Sequence, residues 1–165
     1  MTLDALNKLD RERLWQALQN CCGSTVWVER MVALFPLESV ADLLHAADKV
    51  WHACGKEDWL EAFRHHPRIG DLEALKKKYA GTGAASEQSG ALDASLVVLE
   101  ALAEGNKLYE AKFGYIFIVC ATGRSAGEML GLLRARLGND PDKEIFIAMG
   151  EQEKITRLRL EKLLS

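Results

Sequence analysis

The sequence is poor in the residues and patterns that mark several protein classes. It has 3 prolines and 4 cysteines among 165 residues, and the cysteines form no Cys-x-x-Cys pair. This spacing argues against a disulfide framework. The longest apolar run, around residues 116–121, is far below the roughly 20 residues needed to span a bilayer. No signal peptide is recognisable, so we expect reduced thiols in a cytoplasmic protein with no membrane partner.

An excess of positive charge is also missing. The formal net charge is −3, from 24 acidic and 21 basic residues that form neither a basic stripe nor an acidic tail. Nucleic acid is therefore not an expected partner, and a small molecule or another protein remains. With 48% hydrophobic residues, the chain is long enough for one domain with a real core. We predict a single domain over residues 1–165.

What the sequence does contain is a helical spacing of apolar residues along most of its length. Leucines at helical steps from Leu3 to Leu18 predict a first helix that stops by Gly23. Capping residues, prolines and periodicity predict further helices over residues 27–34, 40–54, 59–65, 72–79, 86 or 89–113, 125–137 and 144–164. Residues 114–120, between the predicted helices that end at 113 and begin at 125, contain aromatic and β-branched side chains in succession. Such a succession favours extended backbone. The expected fold is an all-α helical bundle with one buried extended segment near the pocket.

Two of the four histidines fall on one predicted helix. His45 lies on its apolar face, and His52 follows seven residues later, so we interpret both as partly buried packing residues. A metal site would combine Asp42 with His45 at an i, i+3 spacing, as in di-metal helical bundles. Those bundles need that motif twice, and no second copy is present. We therefore predict no metal site.

The other two histidines are adjacent and lie where a helix must end. Pro67 fixes its own φ and disfavours helical backbone at His66. The His66 imidazole should therefore project from a rigid corner, which suits a catalytic group. The alternative is structural, because a histidine is favoured at a helix C-terminus and Arg68 with Asp71 would pair on the surface.

A second candidate site is the pair Glu87 and Gln88, at the start of the long predicted helix. A carboxylate is favoured there for structural reasons alone, because unpaired N–H groups and the positive end of the helix dipole attract it. The pair would also offer a hydrogen-bonding edge to an amide or urea-like ligand. The preceding residues 81–86 are small and indicate a loop, which is either a gate over a pocket or a passive linker.

The predicted extended segment is the third candidate. An extended backbone that crosses a helical domain leaves N–H and C=O groups that need partners. A polar ligand is one such partner. The alternative is a short core strand or a plain connector.

Taken together, these segments resemble the decarboxylases of 2-oxo-4-hydroxy-4-carboxy-5-ureidoimidazoline (OHCU), which complete urate oxidation to (S)-allantoin. The resemblance extends over nearly the whole chain, and its specificity comes from the order and spacing of short pieces. These pieces are Gly23-Ser24 with Trp27, His66-Pro67-Arg68-Ile69-Gly70, Glu87-Gln88-x-Gly90, Asn106-x-x-Tyr109, Phe113-Gly114-Tyr115-x-Phe117, Gly123-Arg124-Ser125 and Ile155-Thr156-Arg157-Leu158-Arg159-Leu160. Tyr115 stands where phenylalanine is commoner.

The resemblance also implies roles for individual residues. It places His66 and Glu87 as catalytic residues. It places six others as substrate-binding residues: Pro67, Gln88, Phe117, Ile118, Val119 and Arg159. Backbone groups around Phe117 are the implied contacts. A C-terminal arginine in a Leu-Arg-Leu context maps best to Arg159, and Arg157, two residues earlier, is its rival.

The implied reaction needs neither a metal nor a cofactor, because the substrate carries its own electron sink. The partners that follow are the substrate OHCU and the product (S)-allantoin, with a homodimer as a further hypothesis. The competing interpretation is a non-catalytic helical module that binds a ureide or docks on a partner protein through its C-terminal helix.

Overall fold

The computed structural model describes residues 1–67, 72–79 and 89–165, without the side chains of residues 89–95. In this part of the chain the regular structure is helical and no residue is in a strand. The all-α prediction is confirmed. The helices are α1 (Leu3–Asn7), α2 (Arg11–Cys21), α3 (Thr25–Val32), α4 (Val40–Ala53), α5 (Lys56–Arg64), α6 (Leu72–Tyr79), α7 (Ser89–Phe113), α8 (Ala126–Leu137) and α9 (Pro141–Leu163).

The chain forms two compact units. The first comprises Met1–His66, Ile118–Cys120 and Ile145–Ser165, and the second comprises Pro67–Phe117 and Ala121–Glu144. The single domain over residues 1–165 stays a prediction. No helix among the described residues is long and apolar enough to cross a membrane.

Three tryptophans organise the core of the first unit. Trp27, Trp51 and Trp59 are all buried, and each indole N–H donates to a backbone carbonyl. The acceptors are the carbonyl oxygens of Ala47, Trp51 and Met149. A buried indole needs such a partner, because an unpaired N–H group would lose its hydrogen bond to water. These bonds join α3 to α4, α4 to α9 and α5 to α4.

The helix starts follow local capping chemistry. Ser39 caps α4 through a hydrogen bond from the Asp42 N–H to the Ser39 Oγ at 3.0 Å, as the sequence predicts. The single helix predicted from Leu3 towards Gly23 is wrong. Asp10 caps α2 by accepting from the Arg13 N–H at 2.9 Å, so the chain breaks between α1 and α2.

The start of α5 lies three residues earlier than the sequence predicts, at Lys56 instead of Trp59. Asp58 does not stand at the N-cap. It occupies the third helical position, where its Oδ2 accepts from the Gly55 N–H at 2.9 Å. The Asp58 carboxylate therefore caps the helix from its third position. This is one of the two hydrogen bonds that make up a capping box.

In the second unit, α7 runs without interruption through Gly105 and lies against α8. A Cβ at Gly105 would stand 2.5 Å from Leu133 Cδ2, so the glycine permits the close approach of the two helices. Near the end of α8, the buried Arg136 donates to Glu144 at 2.5 Å and to the Tyr109 hydroxyl at 3.3 Å. A buried charge requires this kind of paired environment.

The segment between α7 and α8 is not helical, as predicted, and it is only partly buried. Tyr115 and Ile118 are buried, while Ile116, Phe117, Val119 and Cys120 are half-buried. Within the first unit, the Cys120 N–H donates to Glu151 Oε1 at 3.2 Å. At this position a side chain of α9 supplies the partner that extended backbone needs.

Candidate active site

The end of α5 holds His66 in place. After Arg64, the backbone N–H groups of His65 and His66 donate to the carbonyls of Ala62 and Phe63, each at 3.2 Å. These bonds tighten the last turn before Pro67 stops the helix. The His66 side chain is half-buried, whereas His65 is exposed.

His66 contacts a buried polar pair on α9. Its Nε2 lies 2.5 Å from Gln152 Oε1, and Gln152 Nε2 donates to Thr156 Oγ1 at 3.0 Å. Gln152 is 1% exposed and Thr156 is 5% exposed, so these hydrogen bonds are shielded from water. Gln152 and Thr156 meet because residues four apart share one face of a helix.

The surroundings of His66 favour its neutral form. Burial is the largest cause and lowers the pKa of His66 from its ordinary value of 6.5, while the hydrogen bond with Gln152 acts in the opposite direction. The charges of Arg159 and His65 lower the pKa further. A neutral imidazole at neutral pH can accept a proton, which is the requirement for a general base.

An open cavity of about 480 Å³ lies beside this histidine in the first unit. A cavity of this size is typical of small-molecule sites. Its lining is mainly polar and comes from α2, α5 and α9, with the residues Gln16, Gln19, Asn20, Gly23, Ala62, His65, His66 and Arg159.

Gly23 shapes this cavity by its lack of a side chain. A Cβ at this position would lie 2.3 Å from His65 Cγ and 2.4 Å from His65 Cβ, closer than real atoms approach. The glycine therefore lets the end of α5 lie against the end of α2. This close contact gives a physical reason for the Gly23-Ser24 piece of the resemblance.

The two candidate arginines occupy different places. Arg159 lines the cavity and its Nη1 donates to the Cys21 carbonyl at 3.4 Å, which directs the guanidinium towards the end of α2. Arg157 instead pairs with Asp48 at 3.5 Å and Glu161 at 3.4 Å on the exposed side of α9. The geometry therefore supports Arg159 over Arg157 as the arginine available to a ligand.

Other predicted site residues do not line this cavity in the described part of the chain. The Phe117 ring packs on Tyr109, with centroids 5.2 Å apart, and on the Arg136 guanidinium at 4.5 Å. Ile118 is 2% exposed and Val119 is half-buried. Pro67 is exposed. Glu87, Gln88 and the predicted loop 81–86 lie outside the described residues.

The interpretation of His45 and His52 as partly buried packing residues is wrong. Both side chains are exposed. The buried stripe of α4 consists of Leu43, Leu44, Ala47 and Trp51, and each histidine follows one of its members by a single residue. One step is about 100° around a helix, which turns the side chain away from the core. His52 Nε2 instead contacts Glu153 Oε2 at 2.5 Å on the surface.

Sequence reasoning missed Gln152, although a signal for it exists. Met149, Gln152, Thr156 and Leu160 are all buried on one side of α9. Two polar residues on an otherwise apolar stripe indicate a buried hydrogen-bonding function, because isolated polar groups are rarely placed there. The partner of Gln152 lies 86 residues away in the sequence, so the pattern alone does not identify it.

The comparisons with known proteins all indicate the same family. The sequence profile of the OHCU decarboxylase family matches residues 7–161. The uric acid degradation bifunctional protein TTL of Arabidopsis thaliana is 40% identical over 147 residues, which cover 88% of this chain and 45% of that protein. The 2-oxo-4-hydroxy-4-carboxy-5-ureidoimidazoline decarboxylase of Xenopus laevis is 31% identical, with 97% of this chain and 93% of that protein covered.

A solved structure agrees with these relatives. A crystal structure of OHCU decarboxylase in the presence of (S)-allantoin has a TM-score of 0.70 and 37% identity, and the match covers 88% of this chain and 95% of that one. This chain thus spans less than half of the bifunctional plant protein but nearly all of the solved decarboxylase chain. The profile match and these similarities show that the chain belongs to the OHCU decarboxylase family.

Proposed function

We propose that this chain is a carboxy-lyase that converts OHCU to (S)-allantoin and CO₂, the last step of urate oxidation, without a cofactor. The observation that carries the proposal is the cavity in which His66, with its lowered pKa, lies near the guanidinium of Arg159. Membership of the OHCU decarboxylase family supports the same reaction.

The chemistry of the substrate explains why these side chains suffice. The departing carboxylate of OHCU lies β to a ring C=N bond, so the electron pair released with CO₂ can delocalise into that imine. The protein therefore has three tasks. It orients the carboxylate perpendicular to the ring, stabilises the charge that develops, and controls proton transfer at the ureido-bearing carbon.

Each task can be assigned to a side chain. His66 handles the proton near the substrate hydroxyl and carboxylate, a role that contributes roughly 10² to 10⁴ in rate in general acid–base catalysis. Arg159 binds an anionic or polar edge of the substrate by charge-assisted hydrogen bonds. Glu87 and Gln88 hold the ureido group and the ring amide. The resemblance alone adds Pro67 and the backbone of residues 117–119 as further substrate contacts.

A stereochemical assay tests the proposal directly. OHCU is generated in situ from urate with the two upstream enzymes, this protein is added, and the circular dichroism of the allantoin is followed. A fast signal of one hand is expected, because the protein delivers the proton to one face of the ring carbon.

A slow, racemic product equal to the protein-free control would contradict the proposal. Binding of (S)-allantoin without turnover, measured on the same preparation by calorimetry, would then support a ureide-binding module. Both measurements use the same preparation. Its helical circular dichroism spectrum shows whether the protein is still folded.

A homodimer, on the basis of the resemblance, and a cytoplasmic location, on the basis of the cysteine pattern, are also part of the proposal. Ile147 and Leu158 are exposed and lie on the same side of α9, because 11 residues make about three turns, and association would cover them. Light scattering after size-exclusion chromatography measures the oligomeric state. A monomeric mass at the concentration of the activity assay would remove the homodimer from the proposal and leave the reaction unaffected.

A further inference from the structure

A buried chain of polar groups ends at the imidazole of His66. The chain begins at the Thr156 hydroxyl, which also acts on the pKa of the nearby Cys22 thiol. It continues through the 3.0 Å bond from Gln152 Nε2 to Thr156 Oγ1 and ends at the 2.5 Å contact between Gln152 Oε1 and His66 Nε2. Cys22 is fully buried, and burial raises the pKa of its thiol to about 12. The thiol therefore stays protonated, and the chain carries no charge up to the histidine.

The direction of these bonds fixes the state of the imidazole. Because the amide nitrogen of Gln152 donates to Thr156, the amide oxygen is the atom that faces His66. A carbonyl oxygen only accepts hydrogen bonds. His66 Nε2 must therefore carry a hydrogen, and in the neutral ring Nδ1 then holds the lone pair.

We propose that Gln152 is a positioning residue that holds His66 as the Nε2–H tautomer, so that Nδ1 is the atom that exchanges a proton with the substrate. The last part of this inference rests on the proposed decarboxylation. In that reaction the substrate O–H bond breaks, an Nδ1–H bond forms, and the electron pair stays on the substrate oxygen. The resulting imidazolium keeps its Nε2–H bond to Gln152 and returns the Nδ1 proton later in the cycle.

A glutamine suits this position better than a carboxylate would. A neutral amide orients the ring without the strong rise in pKa that a buried negative charge would cause. Arg159 on α9 and His65 at the end of α5 are the charged and titratable groups that act on His66, and both favour its neutral form. The ring thus remains a proton acceptor while its orientation is fixed.

Nitrogen NMR of the histidine rings tests the tautomer without any substrate. The ring nitrogens of the ¹⁵N-labelled protein are recorded above the pKa of His66, and the His66→Asn variant identifies the signals of this residue. A nitrogen that carries hydrogen resonates well upfield of one that carries a lone pair. The expected result is one upfield Nε2 signal and one downfield Nδ1 signal. An Nδ1–H ring, or two averaged signals typical of a free imidazole, would overturn the proposal.

Three variants link this tautomer to Gln152. Gln152→Met keeps the size of the side chain but removes the acceptor, so the two ring signals should move towards averaged positions. Gln152→Glu should raise the NMR titration midpoint of His66 by about one unit or more, because an opposite charge stabilises the imidazolium. Thr156→Ser keeps the hydroxyl and should keep the Nε2–H tautomer. Unchanged ring signals in Gln152→Met would contradict the positioning role.

Kinetics separate this inference from the proposed function. If the wild-type protein decarboxylates OHCU, Gln152→Met should lower kcat about 10-fold or more with a smaller change in KM, as loss of a supporting hydrogen bond does. Equal losses in Gln152→Met and Thr156→Ser would indicate a merely structural role and overturn the proposal. If the wild type shows the Nε2–H ring and no turnover, the positioning of His66 stands and the proposed reaction fails.

Discussion

At the scale of single residues, the central group is the His66 imidazole, which burial keeps neutral. We expect kcat/KM to fall on the acidic side with a midpoint below pH 6.5, because protonation removes the lone pair that accepts the proton. A pH profile checked by circular dichroism for intact fold measures this midpoint. A midpoint at or above pH 6.5 would contradict the environment described for His66.

The same lowered pKa affects folding. The unfolded chain binds a proton at His66 more readily than the folded chain does. The stability present above pH 6.5 should therefore decrease as the pH falls from 6.5 towards the folded pKa. Chemical denaturation of the wild type and of His66→Asn at several pH values measures this contribution, which the variant should lack.

The two arginines of α9 give a matched pair of variants. Arg159→Gln should lower kcat/KM by about 10- to 100-fold, because it removes a charged hydrogen-bond donor from the cavity wall. Arg157→Gln should leave kcat/KM within about twofold, since Arg157 forms exposed ion pairs with Asp48 and Glu161 that are worth little. Steady-state kinetics on both variants decide the comparison. The reverse ranking would mean that Arg157 is the substrate arginine.

At the scale of elements, the packing of α5 against the end of α2 depends on Gly23. Gly23→Ala should destabilise the protein by about 1–3 kcal/mol, because the added Cβ would overlap His65. It should also lower kcat, since His66 follows His65 directly.

Gly150→Ala is the control for this variant. A Cβ at this helical glycine has no atom within 4 Å outside its own helix, so alanine should stabilise the protein by roughly 0.8–1 kcal/mol. Thermal unfolding and kinetics of the two variants test the pair. A neutral effect of Gly23→Ala would show that the end of α5 can move without cost.

The buried ion pair of the second unit joins the end of α8 to the start of α9. Arg136→Met should cost about 3–5 kcal/mol, because it leaves the fully buried Glu144 without its charged partner. Arg134→Met on the exposed side of α8 should change stability by less than about 0.5 kcal/mol. Urea denaturation measures both. Similar small changes in the two variants would mean that Glu144 becomes protonated or finds other partners.

Local chemistry explains which element boundaries the sequence predicts well. Ser39 and Ser125 cap α4 and α8 with their own side chains. The start of α4 is predicted correctly and that of α8 to within one residue. Asp10 caps α2 in the same way, but leucines on both sides of it at near-helical steps hide the break. At α5 the side chain of Asp58 indicates a helix start, yet a carboxylate caps from either the N-cap or the third position.

At the scale of the whole molecule, the sequence predicts those residues of the candidate site that depend on a neighbouring residue or on the resemblance. Pro67 places His66 at a helix end, and the resemblance selects Arg159, which lines the same cavity. Gln152 is not predictable in this way, because its contact with His66 joins residues 86 apart. The orientation of His45 and His52 depends on which stripe of α4 faces the core. Periodicity alone placed both histidines on this stripe, although each lies one residue beyond it.

The family assignment made from short motifs is confirmed by the profile match over residues 7–161. This assignment succeeds because the pieces occur in order over the whole chain. Gly23 illustrates why they carry information, since its place follows from a close contact with His65.

The most direct test of the proposed active site is the stereochemical assay on His66→Asn beside the wild type. Asparagine is smaller than histidine and does not accept a proton at neutral pH, so the fold should persist and catalysis should not. We expect the wild type to give (S)-allantoin rapidly and the variant to match the slow, racemic protein-free control. A variant that forms (S)-allantoin at close to the wild-type rate would show that His66 is not the proton-handling group.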